Sequence, residues 1–144
     1  MPTRFISSDC RPPTKDAALE HLRHKKAFAK WDPQVLADYV THCMHEAADG
    51  GRALSFDRDI ETAIYNTLPD NLDRLLRRHP LKCPAAFIGG TQSREMQQVG
   101  MAMTEHLTRG RISMVDGSHL FPMEKPAVTA AAIEAALLNL QSLE

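Results

Sequence analysis

Apolar residues recur at spacings of three and four through the first eighty positions, then condense into two short unbroken runs. Residues 1–13 show no period and contain the Pro12–Pro13 pair, which predicts an irregular leader. A helix is expected from Thr14 or Asp16, both suitable N-caps, through Trp31, with Leu19, Leu22 and Ala29 on its apolar side. Asp32–Pro33 is a stronger start signal. The carboxylate can cap, and proline at the first helical position loses only an N–H that has no helical partner. Val35, Leu36, Tyr39, Val40, Cys43 and Met44 follow as one stripe, and Gly50–Gly51 is expected to end that helix. Residues 52–56 read as a short extended segment. Asp57 caps a helix carrying Ile60 and Ile64, and residues 71–79 form another with Leu72, Leu75 and Leu76 on one side.

Beyond Pro80 the pattern changes. Ala85-Ala86-Phe87-Ile88, closed by Gly89–Gly90, has the continuous apolar character of a buried parallel strand. Ser93 is placed to cap a helix running through Leu107, with Met96, Val99, Met103 and Leu107 on one face, and Gly110 stops it. Residues 111–116 read as a second strand and 117–123 as a loop. A last helix begins near Glu124 or Pro126 and carries Ala130, Ile133, Leu137 and Leu140. The fold class is α/β, a helical region followed by a β-α-β-α unit whose two parallel strands join through a right-handed crossover. Two such strands normally sit inside a larger sheet covered on both faces, so periodicity alone describes an incomplete α/β domain.

Composition narrows the partners. A formal net charge of -1 offers no electrostatic reason to bind nucleic acid or an anionic membrane, and 6% aromatic residues give no base-stacking surface. No apolar run reaches the roughly 20 residues of a membrane-spanning helix, and the first residues lack the form of a secretory signal. Cys10, Cys43 and Cys83 are odd in number and widely spaced, which argues for a reducing cytoplasm and against both a disulfide framework and a zinc cluster. Neither a cofactor nor a metal is expected.

Parallel α/β folds place their chemistry in the loops after the strands. Two such loops occur, residues 89–93 and residues 116–119, and the second carries His119 directly after a strand. An imidazole there can serve as a general base near neutral pH, or be an ordinary surface-loop histidine. The run Gly117-Ser118-His119-Leu120-Phe121-Pro122-Met123-Glu124-Lys125-Pro126, between strand and terminal helix, resembles the catalytic-histidine loop of α/β-hydrolases. Residues 83–93 resemble the penultimate core strand of that family and the turn after it, and residues 28–40 and 54–69 resemble the lid of one bacterial subgroup. The resemblance covers residues 14–142 and divides the chain into a leader (1–13), a helical lid (14–80) and the C-terminal part of the hydrolase core (81–144).

That resemblance implies hydrolysis of an ester, epoxide or related bond in a small-molecule substrate, with His119 taking the nucleophile's proton. It also implies a G-x-S-x-G nucleophile elbow, and none occurs in these residues. The chain is therefore expected to be a partial α/β-hydrolase, inactive alone and completed by an N-terminal half. Many family members carry Asp where this chain has Ser93. Glu95 is the substitute if the backbone aims it at His119; otherwise the acid lies in the other half and Glu95 only favours the helix dipole. Leu120 and Phe121, beside the histidine, are candidate substrate contacts. Trp31 has two readings, a brace of the lid or a wall of the substrate cleft.

Other features have plainer readings. His42 and His45, at i and i+3, have a metal-compatible spacing but no evident third ligand. The basic run 21–26 reads as a solvated helix face, and Met96, Met101 and Met103 as helix packing rather than an acyl pocket. A function of another class stays open: a non-catalytic helical module whose exposed apolar faces mediate self-association, for example as a homodimer, or bind a partner.

Overall fold

A computed structural model describes residues 12–67 and 71–141, and the expected leader up to residue 11 lies outside the described residues. The chain parts near residue 68 into two compact units. Among the described residues no helix is long and apolar enough to cross a membrane.

The first unit begins with Pro12, which is buried rather than loose, its carbonyl accepting the Arg52 N–H at 2.9 Å. Helix α1 (Lys15–Arg23) is capped by Thr14, whose hydroxyl accepts the Ala17 N–H at 3.1 Å. It stops eight residues short of the expected end at Trp31. The cause is Phe28. On a continuing helix it would sit about 120° around the axis from Leu22, off the buried face. Tight turns instead carry it inward, with the Lys25 N–H on the Leu22 carbonyl and the Phe28 N–H on the Lys25 carbonyl, each at 2.9 Å.

Helix α2 (Pro33–His42) starts as the sequence predicts: Asp32 Oδ1 accepts the Gln34 N–H at 2.9 Å and the Val35 N–H at 3.3 Å. It does not run on to the glycines. The chain leaves the helix at Cys43, and β1 (Met44–Glu46) pairs antiparallel with β2 (Arg52–Leu54), Met44 opposite Leu54. Gly50, at φ 79°, makes the return turn possible. Met44 is thus buried as expected, but from a strand. Ala18, Leu22, Phe28, Leu36, Val40 and Met44 form the core, with Trp31 and Tyr39 packed against it. Helix α3 (Arg58–Asn66), capped by Asp57, follows and leaves Ile60 and Ile64 exposed. With so few buried side chains, each carries a large share of the unit's stability. Phe28→Ala should destabilise this unit by about 3–5 kcal/mol, measured by urea denaturation followed through Trp31, whose ring lies 4.8 Å from that of Phe28.

The second unit opens with α4 (Leu72–Arg78) and then β3 (Phe87–Gly90). The strand sits two residues later than the apolar run suggests, since pairing starts where the Phe87 N–H meets the Arg111 carbonyl at 2.9 Å. The expected single helix after Ser93 is two: α5 (Arg94–Val99) and α6 (Ala102–Thr108), broken at Gly100, which takes φ 79°. Strand β4 (Ile112–Val115) then pairs parallel with β3, Phe87 opposite Ile112 and Gly90 opposite Val115. Residues expected to be all loop contain a short helix, α7 (Phe121–Glu124), before the terminal α8 (Pro126–Gln141). Strands β3 and β4 pair with no other strand among the described residues. Val115 and Phe121 are buried, whereas Met114, Ile133, Leu137 and Leu138 are exposed. The unit has a sheet with open edges and a last helix covered on one side only.

Candidate active site

The site lies at the carboxyl ends of β3 and β4, where two loops are tied together by backbone. The Thr91 N–H donates to the Val115 carbonyl and the Gln92 N–H to the Gly117 carbonyl, each at 2.9 Å. This closeness depends on glycine. A Cβ on Gly90 would lie 2.1 Å from the Ser118 carbonyl oxygen, so any side chain there would force the two loops apart.

Side chains then fix the histidine loop. Ser118 donates its N–H to Glu124 Oε2 at 3.0 Å and its hydroxyl to Glu124 Oε1 at 2.5 Å, while its Oγ accepts the Leu120 N–H at 3.0 Å. Asp116 accepts from Gln92 Nε2 at 3.1 Å and Thr91 Oγ1 at 3.3 Å, and its other oxygen meets Lys125 Nζ at 2.6 Å. The Lys125 hydrogen bond, then its charge, then Gln92 and Thr91 hold the Asp116 carboxyl below its ordinary range, against desolvation. A carboxyl depressed on folding stabilises the fold above its unfolded pKa, about 4, and loses that contribution as pH falls through the folded value. Lys125→Met should therefore lower stability near neutral pH by a small, solvent-screened amount, and the gap from wild type should close as pH falls through the folded value in urea titrations at stepped pH.

Within this frame Ser93, His119 and Glu95 come together. Ser93 is buried and caps α5, its Oγ accepting the Met96 N–H at 3.3 Å. The same oxygen lies 3.1 Å from His119 Nδ1 and 3.2 Å from Glu95 Oε2, while Nδ1 and Oε2 are 3.8 Å apart. The available protons fix which of these groups donates and which accepts. The Glu95 carboxyl is held low, first by its own backbone N–H in the opening turn of α5, against desolvation, then by Ser93, His119 and Arg94. Ionised, it only accepts, so the single hydroxyl proton of Ser93 goes to Glu95. Ser93 then offers two lone pairs, one to Met96 N–H and one to an Nδ1–H of His119. Nε2 is left as the basic nitrogen, with no hydrogen bond to it among the described residues.

Of the other sequence candidates, Leu120 precedes α7 and Phe121 is buried beneath the loop, with Gly117 packed against it. Trp31 belongs to the first unit, its ring 4.8 Å from that of Phe28 and 5.5 Å from that of Tyr39. His42 ends α2 and His45 lies in β1, so the helical i, i+3 relation read from the sequence does not exist. No group of three His, Cys, Asp or Glu side chains capable of holding a metal ion occurs among the described residues. The Glu124–Ser118 and Lys125–Asp116 clamps were missed by sequence reasoning. Their signal was the placement of both partners on either side of one loop after a strand.

No protein-family model and no curated protein sequence matches this chain. Solved structures do. The crystal structure of E-2-(acetamidomethylene)succinate hydrolase superposes with a TM-score of 0.73 at 16% identity, covering 89% of this chain and 47% of that one. The thioesterase domain from the curacin biosynthetic pathway superposes with a TM-score of 0.65 at 19% identity, covering 88% of this chain and 47% of that one. The chain has a partial α/β-hydrolase fold. It spans about half the length of the α/β-hydrolase structures it matches, as a C-terminal portion of that fold would.

Proposed function

We propose that this chain supplies the histidine half of a hydrolytic active site, with His119 as general base and acid, and that the nucleophile comes from residues outside these 144. The observation that carries the reading is the Glu95–Ser93–His119 chain at the carboxyl ends of two parallel strands, with links of 3.2 Å and 3.1 Å. It supports a histidine held in the tautomer that exposes a basic Nε2, the atom that takes a hydroxyl proton in acyl transfer and returns it to the leaving group. Ser93 and Glu95 are positioning residues in this scheme; Leu120 borders the reacting centre, and Phe121, buried beneath the loop, supports it. The substrate is a small molecule with an ester, thioester, epoxide or related electrophilic bond, as in proteins of this fold.

The test is assembly. Alone, the chain should show negligible turnover of p-nitrophenyl acetate, since an imidazole without a nucleophile to activate is a weak catalyst. Co-expression with an amino-terminal fragment bearing a G-x-S-x-G elbow should produce turnover that depends on both its serine and His119. Saturable turnover by the chain alone, unaffected by His119→Ala, would place the chemistry elsewhere.

The self-association reading draws on the exposed Ile133, Leu137 and Leu138 of α8. A monodisperse oligomer that refuses any elbow-bearing fragment would favour it.

A further inference from the structure

The His119 site occupies only one end of the strand pair. At the other end, the chain enters β3 from residues 82–84 and β4 from residues 109–111, and the end of α4 lies beside both. Between them is a cavity of about 540 Å³. Among the described residues its charged wall has one sign: Arg77, Lys82, Arg109 and Arg111, with His106, and no carboxylate. Asp73, outside the wall, pairs with Arg77 at 3.0 Å. Arg111 donates to the Thr108 carbonyl at 2.7 Å, a neutral acceptor, and meets no carboxylate among the described residues. Cations gathered around one concave surface repel one another, although Arg77, Lys82 and Arg109 keep contact with solvent. Such a cleft concentrates anions.

A second observation concerns the backbone. Arg109 has φ 54° and is the one non-glycine residue in the left-handed region among the described residues. It sits at the C-cap of α6, where glycine would carry no steric cost. The fold accepts that cost and thereby keeps a guanidinium in the cavity wall. Leu81 and Leu107 also line the cavity, so its surface suits a ligand with an uncharged part as well as a charged one.

We infer that this cavity binds a small molecule carrying a diphosphate group. Three cations without a carboxylate partner among the described residues call for more than one negative charge, and Arg and Lys together match phosphate oxygens in both fork and point geometry. The volume lies within the usual range of small-molecule pockets, roughly 300–1,000 Å³. The four-residue strands put it about 13 Å from the His119 loops, and the inference does not depend on the hydrolytic reading.

Cys83 is exposed in the same wall and reports occupancy, while the half-buried Cys43 of the other unit is an internal control. Carbamidomethylation of each by iodoacetamide would be followed by peptide mass spectrometry on the full chain at low salt, with inorganic pyrophosphate or ADP and sodium chloride matched for ionic strength. Both ligands should slow the reaction of Cys83 and leave Cys43 unchanged. Arg109→Gly should raise the half-protecting concentration about tenfold, the loss of one charge-assisted contact. It also relieves the left-handed backbone, so it should melt no earlier than wild type. Lys82→Gln, on an exposed residue, should weaken protection likewise. Tighter protection by ADP would point to a nucleotide-like ligand, and equal protection to the diphosphate alone. The inference is overturned by absent protection at millimolar ligand, by equal protection of Cys43, or by protection undiminished in both variants.

Discussion

With His119 as the general base proposed above, His119→Ala in the assembled protein should lower kcat/KM by about 10⁴-fold or more with KM little changed, because that role places the imidazole on the reacting atoms and not on substrate binding. Steady-state kinetics on one ester, with and without the elbow-bearing half, measures this directly. The positioning residues should grade below it. Ser93→Ala leaves His119 Nδ1 and Glu95 without their shared hydroxyl, and loss of such a charge-assisted link is worth about 10–100-fold in kcat. It also removes the cap of α5, at about 1 kcal/mol of stability, and that alone would lower the melting temperature without lowering kcat. Two further variants separate the roles. Ser93→Thr keeps hydroxyl and cap. Ser93→Asp keeps the cap and puts a carboxylate directly beside Nδ1, 3.1 Å from the present hydroxyl oxygen. Both should restore kcat to within about tenfold of wild type. Equal activity in Ser93→Ala and wild type would reduce Ser93 to a helix cap and remove Glu95 from the site.

The local signals in the sequence were strongest where one residue decides one structural event. Asp32–Pro33 started α2, Asp57 started α3 and Ser93 started α5, since a cap needs only its own side chain and the next three N–H groups. The parallel pairing of β3 with β4 was legible because two apolar runs flank a crossover of suitable length. Other features depended on distant partners. Nothing local distinguishes a helix through Trp31 from one ending at Arg23; burial of Phe28 against Tyr39 decides it, across ten residues of chain. Met44 satisfied a helical stripe and a strand equally well, and pairing with Leu54 settled the matter. At the site, the sequence offered His119 as a base and Glu95 as a possible acid. Their link runs through Ser93, 26 residues from the histidine, and becomes visible only when Gly90 lets the two loops close.

Helix α8 carries the other large expectation. Over its 16 residues Glu134 is the one charged side chain, and a helix apolar on every side belongs in an interior. In this chain Val128, Ile133, Leu137 and Leu138 are between 47% and 59% exposed, so much of that surface meets water. Burying each such side chain fully is worth about 1.5–3 kcal/mol, a driving force for any partner surface that covers α8. The chain alone should therefore bind ANS strongly and self-associate, and the elbow-bearing half should suppress both. Ile133→Glu with Leu137→Glu, one turn apart, sharpens the test because its effect changes with context. In the isolated chain these positions already face water, so each change should shift stability by no more than about 0.5 kcal/mol while dye binding and self-association fall. In the assembly each would bury a carboxyl without a partner, at a cost of at least about 2 kcal/mol. Together they should weaken association with the other half by about 10³-fold. Urea denaturation of the isolated variant and titration of the two halves give the two numbers. A several-kcal/mol loss in the isolated chain would mean that α8 is already packed there, and unchanged association would mean that another surface receives the elbow-bearing fragment.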